Sequence, residues 1–191
     1  MTGRIFQLNI SPGGVPKLAV RDGVVNELGI VGDEHTAPDI HGGPDRALCL
    51  FSLERILELQ AEGHPIFPGA VGENVTISGI DWQQVIPGAQ LALGDEVLLE
   101  ITSYTTPCNT IPAYFADGQF QRIAQKLHPG WSRVYARVLN EFPRDRSSVG
   151  GTAAADSPDR RPEPIPPPRV PLCRTVAGRI TAGKDLRATQ G

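Results

Sequence analysis

Short apolar or alternating runs, cut by glycine and proline, dominate the first 140 residues of the chain. Residues 4–10 alternate. Ile5, Gln7 and Asn9 share one face and Phe6, Leu8 and Ile10 the other, which predicts a strand. Ser11-Pro12-Gly13-Gly14 is a turn, and residues 15–20 and 23–28 read as strands around Arg21-Asp22-Gly23. Ala47-Leu48-Cys49-Leu50-Phe51 is uninterrupted apolar sequence, the pattern of a strand buried on both faces. Another strand opens at Gly72-Glu73-Asn74-Val75-Thr76. Residues 91–93 and 97–101 flank the tight turn Gly94-Asp95, and residues 133–139 alternate with Val134, Ala136 and Val138 on one side. Ser52 is placed to cap a helix over residues 53–62, stopped by Gly63, with Leu53, Ile56, Leu57 and Gln60 on one face. A second helix is predicted from about residue 119 to 127. Many short strands with few helices predict a mostly β, barrel-like fold.

The pattern changes after residue 141. Residues 142–191 hold 8 of the 18 prolines together with 8 arginines, including Pro162-Glu163-Pro164-Ile165-Pro166-Pro167-Pro168. Large apolar residues are scattered singly there, so a disordered C-terminal tail is expected. On this reading residues 1–141 are the folded domain, lacking its last strand. A shifted reading frame near residue 141 would produce such a tail, and deleting residues 143–191 would leave the fold intact. Charge divides at the same place: 9 Lys+Arg against 16 Asp+Glu before residue 142, and 9 against 5 after it. An acidic body argues against a nucleic-acid binder, whose affinity comes largely from neutralising phosphates. No run approaches 18 apolar residues, and the first residues lack the apolar core of a secretory signal, so no membrane and a cytoplasmic location are expected. Three cysteines do not form a disulfide framework.

Three segments carry candidate chemistry. Thr105-Thr106-Pro107-Cys108-Asn109 places a thiol at a strand-to-loop junction, free to act as nucleophile, redox group or soft-metal ligand. His41-Gly42-Gly43-Pro44-Asp45-Arg46, with Asp33-Glu34-His35 upstream, is either a polar ligand loop or a turn with a surface ion pair. Glu73 and Asn74 are placed to bond a heterocycle edge or orient a cation, or else simply cap a strand. Cys49 reads as a small buried hydrophobe and Cys173 as incidental. No Walker or Rossmann spacing occurs. A zinc site would draw on His35, His41, His64, His128 and Cys108, but the paired spacings that anchor zinc are missing.

Taken in order, Gly32-Asp33-Glu34-His35, His41-Gly42-Gly43-Pro44-Asp45-Arg46-Ala47, Gly69-Ala70-Val71-Gly72-Glu73-Asn74-Val75-Thr76, Pro107-Cys108 and the stretch from His128 to Val138 resemble the MOSC family. That family is named for the C-terminal domain of molybdenum cofactor sulfurases; the likeness is to its small stand-alone bacterial branch. The resemblance implies a barrel-like domain that binds the molybdenum cofactor, with Cys108 on the metal. It implies cofactor contacts from Lys17, Asp33, His35, His41, Gly42, Gly43, Asp45, Arg46, Gly72, Glu73, Asn74, Thr76 and Thr106. Many reductase members carry an arginine just before the Pro-Cys; Thr105-Thr106 stand there in this chain, so Lys17, Arg46 or Arg133 is expected to supply the positive charge. The implied activity is reduction of N-hydroxylated compounds, with electrons from a separate reductase, since no ferredoxin cysteine set or flavin fingerprint is present. The alternatives are a non-catalytic carrier or sulfur-relay protein for the cofactor and, further off, a zinc hydrolase. There is no room for a pyridoxal-phosphate desulfurase domain, and the sequence leaves the oligomeric state open.

Overall fold

The continuous apolar run becomes strand β5 (Leu48–Ser52), buried at every position. It can be apolar throughout because it lies between two other strands with both faces covered. β9 (Val134–Leu139) pairs with it antiparallel and β6 (Val75–Ser78) pairs with it parallel. The structure, a computed structural model, describes residues 2–34, 42–139 and 176–189. From β9 the sheet continues through β8 (Val97–Tyr104) to β7 (Gln90–Leu93), and from β6 to β1 (Thr2–Ile10). A strand at Asp185–Thr189, β11, pairs with both β7 and β1 and closes the ring, so seven strands form a closed barrel. β2 (Leu18–Val20) adds to the far half of β1. β3 (Asp22–Asn26), β4 (Gly29–Ile30) and β10 (Val176–Thr181) form a small separate sheet.

The core fills the barrel in rows set by strand register. One row runs Leu8, Val75, Leu50, Val134; another runs Leu48, Ala136, Ile101; a third runs Leu91, Leu99, Val138. All are buried. The strict alternation predicted for residues 4–10 does not hold, because the β1–β6 register shifts between Ile5 and Gln7. A bulge lets two residues face one. Ile5 and Leu8 therefore both enter the core, while Phe6 is left 48% exposed.

The parallel β5–β6 pair needs a crossover, and α1 (Leu53–Ala61) begins it. Ser52 Oγ accepts the Arg55 N–H, and Gly63, at φ 93, ends the turn as predicted. The buried face differs from the predicted one: Ile56 and Leu59 point inward and Leu57 is 52% exposed. The helix predicted over residues 119–127 is only a 3-10 turn, Phe120–Ile123, followed by extended backbone at Ala124. Ile123 and Ala124 are its only buried apolar anchors, too few to repay longer helical order.

The expectation of a missing last strand is corrected outright. Residues 176–189 form two strands joined by a turn at Gly183, the first in the small sheet and the second in the barrel. Among the described side chains, Ile180 in β10 and Leu186 in β11 are deep anchors, with Arg179 and Arg187 outward. Leu186 sits opposite Leu93 on β7 and Gly3 on β1. Leu186 is enough to anchor β11 because the neighbouring strands β1 and β7 are already in place. The rest of the expected tail, residues 142–175, 190 and 191, lies outside the described residues. Deletion of residues 176–191 is therefore expected to open the barrel rather than leave it intact. Leu186→Ala should cost about 2–5 kcal/mol, as for other buried leucines, measured by urea unfolding of the full chain; a loss below about 1 kcal/mol would show that β11 does not hold the barrel shut.

Candidate functional site

Outward-facing positions of the barrel wall form the floor of the site. Leu48 and Leu50 point into the core, so the residue between them points out through the wall, where it meets Tyr135 on β9. Cys49 and Tyr135 thus share one face. Loops cover it: Ser11 to Lys17 after β1, Asp33-Glu34 after β4, the 3-10 turn Pro44–Arg46, the segment from Gly69 to Asn74, and residues 105–110 after β8. Between them lies a cavity of about 240 Å³, whose walls include Lys17, Arg46, Cys49, Gly72, Asn74, Thr106, Cys108, Thr110, Arg133 and Tyr135.

Backbone geometry sets the wall beside β6. Gly69 has φ 89, and a Cβ there would lie 2.3 Å from the Lys17 carbonyl, so only glycine fits. Its carbonyl accepts the Lys17 N–H at 2.9 Å, tying the first loop to this one. Asn74 then clamps β5: its N–H donates to the Cys49 carbonyl at 2.7 Å and its Oδ1 accepts the Cys49 N–H at 3.0 Å. Asn74 Nδ2 donates to Asp33 Oδ2 at 2.8 Å, and the same oxygen pairs with Lys17. Asp33 Oδ1 accepts the Ser11 N–H at 2.9 Å.

Three cations reach the cavity. Lys17 is buried and neutralised by Asp33. Arg46 lies over the Tyr135 ring, 5.6 Å from its centroid, within cation–π range. Arg133 is only 6% exposed; Nη1 donates to the Val71 carbonyl and Nε has no hydrogen-bond partner among the described residues. A buried cation with an open donor favours an anionic group beside it.

Cys108 is half-buried, its Sγ 2.9 Å from the Thr110 hydroxyl oxygen. Burial pushes this thiol up, but the Thr110 hydroxyl, the Thr110 N–H and the Arg133 guanidinium outweigh it and hold the thiol below its ordinary value. Burial pushes Cys49 up to about 11 and, aided by negative charge at Cys49 and Cys108, Tyr135 up to about 12. The two cysteines therefore differ in chemistry: Cys108 is held below the ordinary thiol value and Cys49 well above it.

Of the residues singled out from the sequence, Lys17, Arg46, Gly72, Asn74, Thr106 and Cys108 line this cavity together, and Asp33 stands behind Lys17 and Asn74. Asp45 does not: its carboxylate faces Arg137 at 3.3 Å outside the cavity, and its carbonyl accepts the Thr102 hydroxyl. Glu73 and Thr76 are buried behind the wall, where Glu73 Oε1 accepts the Gly69 N–H at 2.6 Å and the Thr76 hydroxyl at 3.2 Å. Burial pushes the Glu73 carboxyl up. Gly42 and Gly43 precede the 3-10 turn that carries Arg46 and are not among the lining residues. His35 and His41 lie outside the described residues. Sequence reasoning did not place Tyr135, Thr110, Val71 or Cys49 in the site. The alternation of residues 133–139 held the signal for one of them, since it turns Arg133, Tyr135 and Arg137 away from the core. Among the described residues no three His, Cys, Asp or Glu side chains gather to hold a metal ion, and no helix is long and apolar enough to cross a membrane.

A seven-stranded closed barrel with a thiol-bearing cavity on its outer wall is the class of protein that this fold and site define. The MOSC domain matches residues 37–143, and the chain belongs to that family. It is 31% identical to protein YiiM of Escherichia coli over 127 residues, 63% of this chain and 56% of the relative. It is 33% identical to a protein named reductase from Gibberella moniliformis over 126 residues, 63% of this chain and 22% of that one. The chain thus spans about half, or less, of these curated relatives. The solved YUAD protein of Bacillus subtilis shares the fold at 17% identity and a TM-score of 0.64, covering 100% of this chain and 98% of that one.

Iodoacetamide labelling as a function of pH tests the thiol assignments. Cys108 should titrate with a midpoint below 9.0 and Cys49 near 11, read by peptide mapping. Thr110→Val should move the Cys108 midpoint upward; a wild-type Cys108 midpoint at or above 9.0 contradicts this account.

Proposed function

We propose that the cavity holds the molybdenum cofactor with Cys108 on the metal, and that the protein reduces N-hydroxylated compounds with electrons from a separate reductase. One observation carries the reading: a thiol held toward thiolate opens into a cavity whose buried arginine keeps an open donor. The MOSC family is associated with this cofactor in general, and one fungal relative is named a reductase.

The residues present fit such a group. A thiolate is a suitable ligand for a soft metal, and only the deprotonated form ligates. The Thr110 hydroxyl and the Arg133 charge favour that form. Arg133 Nε, with Arg46, offers positive charge for the anionic part of the cofactor, in the role that an arginine before Pro107 would otherwise fill. Gly72, at φ 87 with Val15 packed against it, leaves backbone rather than side chain on the wall. When bound, the cofactor supplies the two-electron chemistry that breaks an N–O bond. Tyr135 keeps its proton across the neutral range and presents a neutral hydroxyl beside Arg46.

The test is elemental analysis of protein produced with molybdate, followed by turnover of an N-hydroxylated base with a reduced viologen as donor. Molybdenum near one atom per chain with turnover supports the reading. Molybdenum without turnover would make the protein a carrier, and zinc in its place would make it a hydrolase candidate. Cys108→Ala should lose metal and activity together, while Cys173→Ala should lose neither. Full metal content in Cys108→Ala would overturn the ligand assignment.

A further inference from the structure

The cavity holds a second sulfur that the proposed reaction does not use. Cys49 lies on β5 between two core leucines, yet it is not part of the apolar core cluster. Its side chain passes to the cavity face beside Tyr135. Cys108 lines the same 240 Å³ space from the loop after β8. Their settings are unequal. Cys49 is 5% exposed and its backbone is bonded to Asn74 at both N–H and carbonyl. Cys108 is half-buried, and the next backbone bond along its segment, Ile111 N–H to the Cys108 carbonyl, is long at 3.4 Å. One sulfur is thus within reach of solutes; the other is fixed in the wall and meets only what enters the cavity.

We propose that Cys49 is the resolving thiol for Cys108, and that oxidation of this pair by a hydroperoxide gives an intramolecular disulfide across the cavity. In the first step the Cys108 sulfur attacks the peroxide. The O–O bond breaks, one oxygen stays on sulfur as a sulfenic acid and the other leaves as water or alcohol. In the second step the Cys49 sulfur attacks the Cys108 sulfur. The S–O bond breaks and hydroxide leaves, taking the Cys49 proton as water. Two thiols lose two electrons and the peroxide gains them. Disulfide geometry requires Cα atoms within about 7 Å, a condition the residue 105–111 segment must meet, because the wall is clamped. The product closes the cavity and keeps Cys108 from the irreversible sulfinic state. The proposal concerns protein without metal on Cys108 and stands or falls independently of the cofactor reading.

The full-length protein, freed of metal, would be treated with a small excess of hydrogen peroxide, blocked with N-ethylmaleimide and mapped without reduction. The expected result is a Cys49–Cys108 linked peptide that dithiothreitol releases, formed at a rate independent of protein concentration. In Cys49→Ser, Cys108 should instead accumulate as sulfinic acid; if that variant does not fold, the wild-type map decides alone. Three wild-type outcomes would overturn the proposal: Cys108 oxidised to sulfinic acid with Cys49 still blocked by maleimide, Cys108 linked to Cys173 or to a second chain, or Cys108 left unreacted.

Discussion

Asn74 is bonded through every polar group it has. Its amide oxygen accepts from Cys49, its backbone N–H donates to Cys49, its side-chain nitrogen donates to Asp33 and its carbonyl accepts the Asn9 N–H. The parallel pairing of β5 and β6 starts one residue on, at Leu50 and Val75. Just before that point the backbones are joined by the Asn74 N–H to the Cys49 carbonyl, and the Asn74 side chain takes up the Cys49 N–H. Buried peptide groups left without partners would each cost about 1–3 kcal/mol, so the cavity wall at Cys49 depends on this residue. An amide is required: it must donate to a carboxylate and accept from a peptide N–H at once. Aspartate would set a second negative charge against Asp33.

The charge in the cavity follows from that arrangement. Asp33, held by Asn74 and Ser11, neutralises Lys17, and Glu34 beside it also lines the cavity, so the wall on that side carries no net positive charge. Arg133, on the side of Cys108, has no carboxylate ion-pair partner among the described residues, only the Val71 carbonyl. Its field acts on the sulfur and is weakened by the solvent that the half-buried Cys108 meets. The chain is acidic as a whole, with a formal net charge of −3, so any attraction for an anion arises at these few side chains rather than from the surface at large.

Much of this was legible in the sequence, for physical reasons. A strand buried on both faces must be apolar throughout, and β5 is; a strand with one buried face must alternate, and β9 does. Glycine where the chain has to turn left-handed gave the helix stop at Gly63. The misses are equally physical. A bulge changes the phase of β1 without changing its composition. The hydrophobic face of a nine-residue helix is ambiguous when leucines stand at 53, 57 and 59. β11 adds to edges already built, so one leucine suffices where a pattern search asks for several. Asp45 and Arg46 are neighbours in a 3-10 turn, and adjacent side chains diverge there, so one reaches the cavity and the other the outside.

The pairing of β1 with β11 joins the two ends of the described chain. A ribosome delivers β1 first and β11 last, and at about 5–20 residues per second the edge of β1 stands open for roughly 9–35 s and that of β7 for roughly 5–18 s. During that interval the nascent chain presents two unpaired strand edges, the surfaces most prone to pair with a neighbouring chain. Translation speed and chaperone supply therefore bear on the yield of this protein more than on its final stability.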